Sequence, residues 1–215
     1  MRRPRAAPPN ADRSAFAGFR FPREVITVAV RWYLRYGVSY RDVEEMLAER
    51  GVEVDHVTVY RWVQRFTPLF AEAARPLRHA SGDRWFVEVI DVMMAEQRDS
   101  AAARRFFTRA VRRGPAPVEV TTDKAAPYLR VLDELVPAGA HVTEQYGNNP
   151  IESDHARLKA RLRPVRGLKH LRSATRIVAG HAFVQNLRRG HYELAIDTAP
   201  AQRLATAFTE LAQAM

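Results

Sequence analysis

Two acids in this 215-residue chain stand where they could do chemistry together. Asp123 closes a strand-like run, Val120-Thr121-Thr122-Asp123-Lys124, and Glu152 follows Asn148-Asn149-Pro150-Ile151 at the opening of a helix-like run. Carboxylates are hard oxygen donors of the kind Mg²⁺ takes. A pair of ions held this way suits phosphodiester chemistry, with both the attacking and the leaving oxygen stabilised. Lys159 lies seven residues, two helical turns, beyond Glu152, so the two share a helix face and the lysine could hold a DNA phosphate. Singly, each residue has a plainer reading: Asp123 as a turn former, Glu152 as a complement to a helix N-terminus, Lys159 as surface. The charge that follows them favours the joint reading.

That charge is concentrated. The net charge is +10, and from His155 to Tyr192 there is no acid but ten basic residues: Arg157, Lys159, Arg161, Arg163, Arg166, Lys169, Arg172, Arg176, Arg188 and Arg189. The rest of the chain sums to zero. A solvated basic helix face normally interleaves acids; without them a phosphate backbone is the better partner. The absence of Cys excludes disulfide scaffolds, Cys-based zinc fingers and thiol catalysis. His141, His155, His170, His181 and His191 lack a compact ligand spacing, which argues against a histidine metal site. No apolar run approaches the ~18 residues that cross a membrane, and Pro8, Pro9, Asn10 and Asp12 interrupt any signal-like start. The expectation is a soluble, cytoplasmic, nucleoid-associated protein.

Several elements must position these groups. Residues 1–20, rich in Pro, Arg and Ala, read as a flexible tail. Pro22 opens an amphipathic helix over 22–36, ended by Gly37. Ser39, with Asp42 three residues on, predicts a capped second helix whose stripe is Val43, Met46 and Leu47. Gly51 makes a turn, and Asp55 caps a third helix with Val59, Trp62, Val63 and Phe66 inward. This reads as a helix-turn-helix over 21–67, with His56, Thr58, Arg61 and Arg65 available to DNA and Trp62 in the core. Pro68 and Pro76 mark a break and linker over 68–82. Beyond it, strands at 85–87, 89–94, 118–122 and 141–146 alternate with helices capped at Asp99, over 128–136, 151–162 and 172–188. That alternation predicts an α/β domain over 83–195, making the whole chain α+β. A weaker helix closes 196–215.

The chain resembles the DDE transposases of bacterial insertion sequences, in particular the insertion-sequence-six family. The matching runs include Ala29-Val30-Arg31-Trp32-Tyr33, Ser39-Tyr40-Arg41-Asp42, Met46-Leu47-Ala48-Glu49-Arg50-Gly51 and Asp55-His56-Val57-Thr58-Val59-Tyr60-Arg61-Trp62. They continue through Thr122-Asp123-Lys124, Asn148-Asn149, Ile151-Glu152-Ser153-Asp154-His155 and Leu158-Lys159, spanning roughly Phe19 to Leu194. The resemblance implies a ribonuclease-H-like catalytic domain, two Mg²⁺ ions held by Asp123 and Glu152, and Lys159 as the basic residue of the helix. It also implies double-stranded DNA partners, terminal inverted repeats and target, and a homodimer when active.

One departure matters. The family has a third acid, an Asp on its first core strand after a Trp-Phe-Val-like segment. Here Trp85-Phe86-Val87 runs into Glu88 and then Val89-Ile90-Asp91-Val92, which resembles the family's third strand. A hairpin of two strands of ~5–6 residues is missing by this reading, and the simplest account is an internal deletion. Glu88 is the surrogate acid, one methylene longer; Asp91, at an odd offset from it, would point to the opposite strand face. The expectation is a strand-transfer enzyme impaired in this copy, with Arg161, Arg163 and Arg166 also on DNA. The alternative is a non-catalytic remnant that occupies element ends as a repressor or inhibitor. A plain transcription regulator leaves Asp123, Glu152 and Lys159 unexplained.

Overall fold

The computed structural model describes residues 14–79, 84–86, 99–112, 117–122, 126–137, 139–142, 156–160, 162–163 and 170–215. Its helices are α1 (Arg23–Arg35), α2 (Tyr40–Ala48), α3 (His56–Ala74), α4 (Ser100–Val111), α5 (Ala126–Leu135), α6 (Leu171–Arg189) and α7 (Arg203–Ala214). The strands are β1 (Arg84–Phe86), β2 (Glu119–Thr121) and β3 (Ala140–Val142). The mixture of helices with a parallel sheet fits the α/β expectation in outline.

The first helices form where their caps dictate. The Ser39 hydroxyl accepts from the Asp42 N–H at 3.2 Å, and the Asp42 carboxylate accepts from the Ser39 N–H at 2.8 Å, a complete capping box. Asp55 accepts from the N–H groups of Val57 and Thr58, and Asp99 accepts from that of Ala102. Between α2 and α3, Gly51 takes φ +74°, a left-handed turn that favours glycine. Gly37 follows the end of α1 without a left-handed φ; the Tyr36 N–H closes onto the Trp32 carbonyl instead.

One core joins α1, α2, α3, α6 and α7. Phe66, Phe70, Phe208, Leu34 and Tyr33 are fully buried in it. α6 lies against α1, α3 and α7; Ala174, Ile177, Gly180, Phe183, Val184 and Leu187 fill one half of the helix, and buried His181, Gln185 and Asn186 extend burial beyond it. Gly180 marks the closest approach: a Cβ there would stand 2.6 Å from Thr67 Cγ2 and 2.7 Å from Leu34 Cδ2. A second core, of Ala103, Phe106, Phe107, Ala110, Val120, Val131, Leu132 and Val136, joins α4, α5 and β2.

Three boundaries differ from expectation. Residues 14–20 are not a free tail: Phe16 is buried and stacks on Phe66 at 4.7 Å, Phe19 tilts against the same ring, and the Ala15 N–H donates to the Met215 carbonyl. Aromatic burial outweighs the local Pro, Arg and Ala composition. α3 runs through Pro68 to Ala74; Pro68 is exposed while Phe66, Phe70 and Ala74 bury the opposite face, and their packing holds the helix across the missing N–H. The chain turns only at Arg75–Leu77, which holds Pro76. Finally, α6 and α7 share the core of α1–α3, although the sequence grouped α6 with the catalytic part. A strap secures this grouping: the His79 N–H donates to the His191 carbonyl, and the Glu193 N–H to the Leu77 carbonyl.

The sheet is parallel, in order β1-β2-β3, with Phe86 paired to Thr121 and Thr121 to Val142. α4 falls in the β1–β2 crossover and α5 in the β2–β3 crossover. The strand expected at 89–94 and the first part of the helix expected over 151–162 lie outside the described residues, although 156–160 are helical.

Candidate functional site

The α2–turn–α3 unit presents one exposed helix face. Val59, Trp62, Val63 and Phe66 of α3 face the core, and the Trp62 ring meets Phe21 edge-on, so Trp62 packs as expected. Of the four side chains predicted to meet DNA, two are already engaged. Glu44 Oε2 lies 3.0 Å from both the His56 backbone N and its Nδ1, which bolts the start of α3 to α2. The Thr58 hydroxyl donates to Asp55 at 2.6 Å. Together with the Thr58 N–H, that bond holds the Asp55 carboxyl below its ordinary range. Arg61 is exposed, whereas Arg65, also exposed, lays its guanidinium over Phe19 and Phe66.

The sequence reading passed over two residues on this face. Val57 is 44% exposed and Tyr60 40% exposed, one turn apart. Tyr60 meets Tyr40 edge-on at 5.4 Å, and Tyr40 stacks on Tyr33 at 4.2 Å. Burial, reinforced by Tyr33, pushes the Tyr40 hydroxyl far above its ordinary pKa, so it stays a neutral part of the stack. The signal available in the sequence was spacing: Val57, Tyr60 and Arg61 fall at i, i+3 and i+4.

The basic stretch divides. Arg176 donates to Gln64 Oε1 at 3.1 Å across the α3–α6 seam, and Arg188 donates to Gln185 at 3.3 Å. These cations serve the interior. Lys159, Arg163 and Arg172 are exposed.

Of the acid site, Glu88, Asp123 and Glu152 lie outside the described residues, as do Arg161 and Arg166. Their approach is described on the sheet side: β2 ends at buried Thr121, and buried Thr122 leads to Asp123 in sequence. Among the described residues, no group of three or more His, Asp or Glu side chains could hold a metal ion. No described helix is long and apolar enough to cross a membrane.

Comparison with known proteins adds a family. The family described as DDE domain matches residues 86–191. The transposase for insertion sequence-like element IS431mec of Staphylococcus aureus (strain N315) is 33% identical over a 169-residue alignment; the match takes in 66% of this chain and 75% of that protein. The transposase for insertion sequence element IS257 in transposon Tn4003, also from Staphylococcus aureus, is 32% identical over the same shares. No solved structure matches the chain.

Proposed function

The chain belongs to the DDE transposases of insertion sequences, and on that premise we propose that it binds the ends of its element through a helix-turn-helix formed by α1–α3 and carries a strand-transfer site impaired by loss of the first Asp. The sheet register carries the catalytic half of this reading. Phe86 and Thr121 are paired at the same edge of a parallel sheet, and in sequence an acid follows each by two residues, Glu88 and Asp123. The C-terminal edge of such sheets is where open α/β folds build their sites. A ribonuclease-H-like domain would bring Glu152 to this edge.

The donor set fits a hard divalent cation: three carboxylates, Asp123, Glu152 and Glu88, in a chain without Cys. When bound, Mg²⁺ supplies the positive charge that a phosphodiester needs at its attacking and leaving oxygens. Lys159, seven residues beyond Glu152 in sequence, holds a DNA phosphate. Arg163 and Arg172 extend the same backbone contact, and Arg61 approaches the duplex from α3. Glu88 is longer by one methylene than the family's Asp, and catalytic carboxylates tolerate misplacement of only about 0.5 Å, so this copy retains little activity. It works as a homodimer, because transposition pairs two ends.

The test is strand transfer by purified protein on short duplexes carrying the element's terminal repeats, with Mg²⁺ or Mn²⁺. The expected result is specific binding that weakens steeply with salt and little or no joined product. Robust metal-dependent transfer, abolished in Asp123→Ala, would overturn the impairment. Absence of specific binding would overturn the helix-turn-helix assignment. Binding without transfer favours the second reading, a remnant that occupies element ends and inhibits an intact relative.

A further inference from the structure

We infer that Val57 reads a thymine methyl in the major groove and that Tyr60 anchors α3 to the adjoining phosphate; this rests on the proposed DNA-binding role of α3. Three observations converge on these residues. First, His56 and Thr58, at the same end of α3, already bond Glu44 and Asp55. Engaged side chains fix the helix and have little left to offer a base. Second, Val57 and Tyr60 are exposed, while Val59, Trp62 and Val63 of the same helix are buried. They share a face with Arg61, four residues after Val57. Third, this face suits a polyanion. No acid occurs in α3 between Asp55 and Glu72, and the carboxylate of Asp55 is turned back onto Val57 and Thr58.

The chemistry then selects the base. A valine side chain offers only methyl groups. The major-groove edges of guanine, cytosine and adenine present donors and acceptors alone, and valine would desolvate them without replacing their hydrogen bonds. Thymine alone presents a methyl group there. Tyr60 differs in having a hydroxyl at the end of a ring held edge-on by Tyr40, which is itself stacked on Tyr33. A fixed donor on the helix face one turn from Val57 suits a phosphate oxygen and carries no sequence preference.

The experiment uses the full chain and a randomised duplex pool. Sequences enriched by the wild-type protein are resynthesised with each thymine replaced singly by deoxyuridine, which removes only the C5-methyl. The expected result is one thymine per half-site whose replacement weakens wild-type binding about threefold to fivefold, the scale of one buried methyl group. Val57→Ser is expected to be indifferent to the same replacement. Tyr60→Phe is expected to weaken binding to all duplexes alike, enriched or random.

Equal sensitivity of wild type and Val57→Ser at every thymine would overturn the base assignment while leaving DNA binding by α3 intact. A Tyr60→Phe loss confined to one sequence would overturn the phosphate role. A Val57→Ser variant that binds all duplexes as wild type does, but loses self-association in sedimentation, would reassign the face to a second copy of the chain. A pool with no enrichment would overturn specific DNA binding and this inference with it.

Discussion

The two cores of this molecule differ in kind. The first is built from five helices and closed by interlocking aromatics: Phe16 on Phe66, Phe70 on Phe208, Phe183 on Tyr192. The second, among the described residues, joins α4, α5 and β2 around Phe106, Phe107, Val131 and Leu132. Large aromatic burial gives the first core a reserve of stability, whereas the described residues of the second are mostly alanine, valine and leucine around Phe106 and Phe107. The comparison teaches that two cores in one chain can differ in how much damage each withstands.

The sharpest way to break this comparison is a matched pair of core deletions. Phe66→Ala is expected to cost about 3–5 kcal/mol and to abolish DNA binding with the first core. Phe107→Ala, of similar nominal cost, is expected to leave DNA binding standing while protection of α4 and α5 amides from hydrogen exchange collapses. If both variants lose DNA binding equally, the two cores are one cooperative unit. Next in size is Gly180→Ala. Its Cβ would overlap buried, β-branched Thr67, so a loss of about 1–3 kcal/mol is expected by denaturant titration despite alanine's better helix propensity. An unchanged midpoint would show that α6 can move off α3.

Cap removal gives a finer comparison. Asp55→Ala and Asp99→Ala are each expected to cost about 1 kcal/mol. Only Asp55→Ala should also weaken DNA binding, since it frees the end of α3 that carries Val57; equal effects on binding would deny that end a special role. The smallest expected effect is with pH. Burial, then Arg189, Arg78 and His79, holds His191 below its ordinary pKa. The folded state therefore prefers the neutral ring. The contribution of His191 is full above its unfolded pKa and fades as pH falls through that value toward the folded one. His191→Gln is expected to flatten the mildly acidic limb of a stability–pH curve; an unaltered limb would remove His191 from the strap's energetics.

Much of the helical framework of both cores was legible where the determinants are local. Ser39 with Asp42, Asp55 and Asp99 each announce a helix start, because a short side chain meets an N–H two or three residues away. Errors arose where distant packing decides. Pro68 reads as a breaker but sits on the exposed side of a helix held by Phe66 and Phe70. Phe16 and Phe19 were hidden in a Pro- and Arg-rich stretch, and only Phe66, some fifty residues on, gives them a place. α6 is buried against three helices, so periodicity could not name its neighbours. Of the acid site, the spacing was legible; the carboxylates themselves fall outside the described residues.

The strap between residues 77–79 and 191–193 has a further meaning for how such a chain changes over time. It pins the exit of α3 beside the exit of α6, both of them helices of the first core. The chain between residues 79 and 191 is thus an excursion closed at its base, and α6 is the limb that returns it to the first core. An excursion of this kind can shed a hairpin without pulling the first core apart, because the cost of altering a closed excursion grows only slowly with its length. The deletion proposed near Glu88 is the sort of damage such an architecture is expected to survive, and the expected outcome is a protein that still folds and still presents α3.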